Sequence, residues 1–228
     1  FAIPSGVKVY GGYRSGGGDR DWAQNSTTLS GDIDQNDDTG NSDGNAKRVV
    51  TFMDASDQTV LDGFTITGGK DDLERTEYGG LHVFDVGGGI YNENGSPQIT
   101  NCTISGNSAK EGGGMYNHNG SPRITNCLIS GNSASSYGGG MYNNNGSPRL
   151  INCTISGNNA SSRGGGMYNY ENSNPTLTNC IVWGNNTGVY NHTSLPTYYY
   201  SDIQGGGNVV SNIDTDPLFV RSPDPNDA

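Results

Sequence analysis

The sequence predicts an all-β solenoid, a parallel β-helix with three faces and about eight coils, and three observations carry that prediction. Near-copies of one unit of roughly 26 residues begin at Gly87, Gly112, Gly138 and Gly164, a period too short for a domain and too regular for a linker. The four cysteines, Cys102, Cys127, Cys153 and Cys180, recur at that same period. No stretch sustains a helical apolar period, because Gly, Asn, Ser and Pro interrupt every apolar run within a few residues.

The elements follow in chain order. Val7 to Tyr10, Thr28 to Ser30 and Val49 to Met53 read as strands of irregular early coils, and Leu61 to Gly68 matches the second half of the repeat, with Phe64 at the cysteine position. Within the first full repeat, Gly89-Ile90-Tyr91 is a short strand followed by Asn92. Ile99-Thr100 and Cys102-Thr103-Ile104 flank Asn101, which can occupy the left-handed bend that places Ile99, Cys102 and Ile104 inward. Asn107 marks a third corner. Stacking such coils builds columns: Ile90/Met115/Met141/Met167, Ile99/Ile124/Leu150/Leu177 and Ile104/Ile129/Ile155/Val182 inside, and Asn101/Asn126/Asn152/Asn179 laddered at a corner. Val189-Tyr190-Asn191 and Ser201 to Gly205 read as a degenerate further copy. One domain over 1–228 is expected: irregular coils with insertions over 1–86, four regular repeats over 87–187, and a degenerate coil and tail over 188–228.

The phrases G-G-G-M-Y-N, S-P-x-I-T-N-C-T-I-S-G-N, V-L-D-G-F-T-I-T-G-G and I-D-T-D-P-L-F-V resemble bacterial right-handed parallel β-helix repeat proteins. These are the secreted or surface-anchored "choice-of-anchor" type and relatives of polymorphic outer-membrane repeats. The resemblance covers nearly the whole chain and implies right-handed coiling and an extracellular or cell-surface setting.

Apolar residues make up 31%, but 37 glycines among 228 residues bring the total near an ordinary globular value. The core is therefore thin and continuous rather than absent. The net charge of −11 is concentrated toward the two ends, with the regular repeats almost neutral. No basic patch suits nucleic acid, and no apolar run reaches membrane-spanning length.

Several motifs suggest chemistry. The cysteines form one column counted four times, either a ladder of buried thiols or, since adjacent coils lie within disulfide reach, the pairs Cys102–Cys127 and Cys153–Cys180. Asp32, Asp34, Asn36 and Asp38 have the alternating spacing of a calcium loop, with Asp43 at the twelfth position where Glu is usual and without the Gly at the sixth. Calcium there, or a solvated acidic loop, are the two alternatives. Tyr91, Tyr116, Tyr142, Tyr168 and Tyr190 form a column next to the inward Ile/Met column and should face out. They are either an exposed aromatic surface for sugars or proteins, or a self-stacked shield over the strands. Acids in the repeats are few, Glu93, Glu111 and Glu171, and His118 shares the Glu93 column as a variable surface position. The insertion from Lys70 to Val86 is the one segment rich enough in charge to contribute a site.

The function expected is a non-catalytic extracellular scaffold, adhesive or self-assembling head-to-tail into fibres through its unpaired end strands. The alternative is a module that binds or cleaves polysaccharide.

Overall fold

In the computed structural model, which describes residues 1–33, 35, 44–71, 85–206 and 211–218, every strand pairing is parallel and no helix occurs among the described residues. Three sheets of seven strands run the length of the stack. The first includes Ile90–Glu93, Met115–His118, Met141–Asn144 and Met167–Tyr170. The second includes Gln98–Thr100, Arg123–Thr125, Arg149–Ile151 and Thr176–Thr178. The third includes Thr103–Ser105, Leu128–Ser130, Thr154–Ser156 and Ile181–Trp183. Among the described residues the three long sheets hold seven rungs, and Ile213, bridged in parallel to Asp202, begins a further one, in line with the roughly eight coils that the repeat period suggests.

The predicted columns are in register. Met115 pairs with Ile90 and Met141, Ile124 with Ile99 and Leu150, and Ile129 with Ile104 and Ile155. All are fully buried in one core that fills the lumen and includes the four cysteines. Each such aliphatic side chain contributes about 1.5–3 kcal/mol when removed from water. Asn101, Asn126, Asn152 and Asn179 take the left-handed conformation, with φ of 51°, 55°, 53° and 54°, as the bend requires.

A fourth sheet, not foreseen as a face, joins the third sheet to the first. It has four short strands, Lys70–Asp71, Ser108–Glu111, Ser133–Tyr137 and Asn159–Ala160. Where it meets the first sheet the chain turns through the Gly-Gly-Gly of each repeat. A Cβ on Gly113 would stand 2.1 Å from the Ser133 carbonyl oxygen, so only glycine lets successive rungs approach that closely.

Two asparagines read as corners lie inside instead. Asn92 and Asn107 are buried, and the left-handed bends fall next to them, at Asn94 and Gly106. Their amides start interior ladders. Asn92 donates to Asn117 (2.7 Å), Asn117 to Asn143 (3.4 Å) and Asn143 to Asn169 (2.8 Å). Asn107, Asn132 and Asn158 each donate onward at 3.0 Å, ending at Asn185. A buried amide needs such partners, since an unpaired one costs about 1–3 kcal/mol. At the outer corner the direction reverses: Asn179 donates to Asn152 (2.7 Å), Asn152 to Asn126 (3.1 Å) and Asn126 to Asn101 (3.2 Å). Asn101 then donates to Asp62 at 2.9 Å, and Arg20 holds that carboxylate at 2.7 Å.

Candidate functional site

The outer face of the first sheet carries two parallel columns because strand side chains alternate. One is Tyr91, Tyr116, Tyr142, Tyr168 and Tyr190; the other is Glu93, His118, Asn144, Tyr170 and His192, all in register. The tyrosines point away from the lumen, as expected, but they are not exposed: Tyr116, Tyr142 and Tyr168 are 6%, 5% and 5% accessible. Their rings stack on one another, with centroids 5.9 Å apart for Tyr91–Tyr116, 5.1 Å for Tyr116–Tyr142 and Tyr142–Tyr168, and 5.2 Å for Tyr168–Tyr190. Val86, Tyr137 and Tyr170 close over them to form a second apolar cluster. Ring faces are consumed by self-stacking, so the column offers a neighbour mainly its hydroxyl edges.

Those edges floor a groove of about 990 Å³ that runs along the solenoid. One wall is a column on the fourth sheet and its extension, where Val86 bridges to Glu111 and Tyr137 to Arg163. The other wall is the Glu93–His192 column. The Tyr91 hydroxyl donates to Glu93 at 2.6 Å, and His118 Nδ1 sits 2.9 and 3.0 Å from the two Glu93 oxygens. Asn144 donates to the Tyr116 hydroxyl at 3.3 Å. The Arg48 guanidinium lies 3.9 Å from the Tyr91 ring centroid, and Arg163 lies 4.6 Å from that of Tyr190 while also bonding its hydroxyl. Cations therefore sit over both end rings of the tyrosine column.

Burial, and then the hydrogen bond to Glu93, pushes the Tyr91 phenol above its ordinary value, and burial raises Tyr116 and Tyr142. All stay neutral donors at physiological pH. Burial also raises the Glu111 carboxyl, and no hydrogen bond or ion pair reaches that side chain among the described residues. The groove thus combines hydroxyls, an amide, an imidazole and two carboxylates, with a different polar group from each rung along the Glu93 column at the ~4.8 Å rung spacing.

The comparison with protein families bears on what this scaffold is. A family described as right handed beta helix region matches residues 51–200, well over half of the chain. The chain belongs to the right-handed β-helix family. No curated protein and no solved structure matches it.

Elsewhere on this right-handed β-helix, the expected sites divide. Asp34, Asn36, Asp38 and Asp43 of the calcium motif lie outside the described residues, as does most of the Lys70–Val86 insertion. Asp32 is described, and its backbone N–H bonds Ser30 at 3.1 Å. Cys102, Cys127, Cys153 and Cys180 are all free thiols, buried and inward, which is the thiol ladder. Each donates to the carbonyl two residues earlier, at 3.1, 3.3, 3.2 and 3.3 Å. Two smaller grooves open over this β-helix corner. One, about 460 Å³, is bounded by Trp22, Phe64, Asn101 and Cys102. The other, about 710 Å³, is bounded by Cys153, Cys180, Tyr200 and Ile213.

Sequence reasoning missed Arg48, Tyr137 and Glu111 as parts of the tyrosine groove, because all three are brought there by the unforeseen fourth sheet or by an irregular early rung. That Glu93 and His118 share one column was legible, but the sequence presents His118 there as a variable surface position and not as a partner of Glu93.

Proposed function

We propose that the chain is a non-catalytic extracellular adhesion module that binds a polysaccharide lengthwise in the tyrosine groove. The observation that supports this reading most is the groove itself: a channel with an aromatic floor and in-register polar groups on both walls. Sugar chains present hydroxyls beside apolar C–H faces, and recognising them takes polar groups set among aromatic ones. Glu93 is already engaged by Tyr91 and His118, which favours a holding role over a free catalytic base. A glycan microarray probed with the purified chain should give a restricted set of linear oligosaccharides. His118→Ala should weaken the best of them at least tenfold. An array with no signal above background, or full affinity in the variant, overturns the reading.

A second role, head-to-tail self-association, is supported by where exposed apolar side chains lie. Phe1, Val7, Tyr10 and Trp22 belong to the first described rungs, and Leu195, Tyr199, Tyr200 and Ile213 to the last, whereas the middle of the stack exposes little beyond Met53 and Leu128. Light scattering across a concentration series should show growing linear species, reduced in a Tyr199→Ser, Tyr200→Ser variant. A constant monomer mass at all concentrations rejects it.

A further inference from the structure

The thiol column is chemistry that neither the groove nor the fold requires. An apolar side chain can fill the same position, as Phe64 does in the rung before Cys102. Four free thiols instead stand in successive rungs and reach across them. The Cys127 sulfur lies 3.4 Å from the Cys102 backbone nitrogen and 3.6 Å from the Ile99 carbonyl oxygen, and the Cys153 sulfur 3.5 Å from that of Ile124.

We propose that this column is a binding site for soft monovalent d10 cations of the silver(I) or copper(I) class, each held by two sulfurs in line.

Four considerations lead there. Two metal–sulfur bonds of about 2.3 Å placed end to end span about 4.6 Å, which matches the ~4.8 Å between rungs. Among the described residues no three His, Cys, Asp or Glu side chains converge, so a tetrahedral zinc site is not formed, whereas a two-coordinate ion needs only a pair. Thiol sulfur is the ligand type that selects soft ions over Mg(II) or Ca(II). The column is also approachable, because the grooves beside Trp22 and Tyr200 reach the corner at Cys102 and at Cys153 and Cys180.

Charge balance selects the monovalent ion. The surrounding lumen is aliphatic, so the complex must be neutral. One thiolate and one thiol around a monovalent cation satisfy this: two thiols and the cation give a thiolate–metal–thiol unit, and one proton leaves to solvent. No electron is transferred. Four sulfurs in successive rungs can each be used once in neighbouring pairs only as Cys102 with Cys127 and Cys153 with Cys180, giving two ions per chain.

Silver(I) is the probe, titrated into the reduced full chain in chloride-free buffer and followed by native mass spectrometry, with thermal melting in parallel. Two ions per chain and a raised melting temperature are expected, with equimolar zinc producing neither. The double variant Cys153→Ser, Cys180→Ser should bind one ion, and the variant lacking all four thiols none. If these variants do not fold, X-ray absorption on the silver-loaded wild type decides, with two sulfur neighbours and no nitrogen or oxygen expected. Failure of the folded chain to bind silver overturns the proposal. So does binding that survives loss of all four thiols, which would point to the Met115, Met141 and Met167 thioethers, or a first shell of oxygen or nitrogen.

Discussion

Asn143 has no accessible surface, accepts from Asn117 and donates to Asn169, so its amide cannot be replaced by an apolar isostere without orphaning two neighbours. Asn143→Leu should cost about 2–4 kcal/mol, counting both unmet partners, measured by urea denaturation. Asn152 differs in kind, being exposed and held at φ 53°. There Asn152→Gly keeps the conformation and should cost under about 1 kcal/mol, while Asn152→Leu adds about 1–2 kcal/mol of left-handed strain; equal losses in the two variants would refute the conformational account. Glu111 gives a pH signature. Burial raises its folded-state value, so between the unfolded and folded values the native chain binds more protons than the unfolded one. Its charge therefore weakens the fold above that window, and the penalty fades as pH falls through it. Glu111→Gln should raise the melting temperature at pH 7 and leave it unchanged at pH 4; the opposite ordering would mean the carboxylate is stabilised by a partner.

At the scale of elements, glycine separates two demands. Gly113 faces the Ser133 carbonyl at 2.1 Å from an added Cβ, whereas Gly131 has open space but φ of 63°. Gly113→Ala should unfold the stack or cost more than about 3 kcal/mol through overpacking. Gly131→Asn should be tolerated within about 1 kcal/mol, because Asn accepts the left-handed region. Circular dichroism with thermal melting distinguishes them, and a tolerated Gly113→Ala would show that rungs can separate at the glycine turn. These elements also mark how far the sequence could be read. The strands of the three long sheets and the Asn101 corner were legible because bulky aliphatics alternate with polar residues at a fixed period. The fourth sheet was not, since Ser108–Glu111 and Ser133–Tyr137 bury only alanines, Ala109 and Ala134, and a small side chain leaves no periodic mark. With that sheet hidden, the cover over the tyrosines, and the arrival of Glu111 and Tyr137 beside them, could not be inferred either.

For the whole molecule, the rung is a unit that touches chiefly its two neighbours, so stability should accumulate rung by rung. Deleting residues 112–137 joins Glu111 to Gly138 and removes one full rung. The shortened chain is expected to keep its strand spectrum and melt at a lower temperature. A random-coil spectrum would mean that the stack depends on all its rungs together.

The reversed amide ladders carry a consequence for how such a chain can lengthen. The outer row runs donor to acceptor toward the early rungs and stops on Asp62, whose charge Arg20 answers. A carboxylate has no hydrogen to pass on, so the sequence of dipoles is grounded there. Tandem duplication of the repeat between Asn101 and Asn179 leaves that terminus untouched, because each new amide slots between an existing donor and an existing acceptor. Inserting the same copy ahead of Asp62 would strand a row of amides with no charge at its end. The stack is thus free to expand in its middle, which is where the four near-identical copies are found, while Asp62 anchors the row at one side.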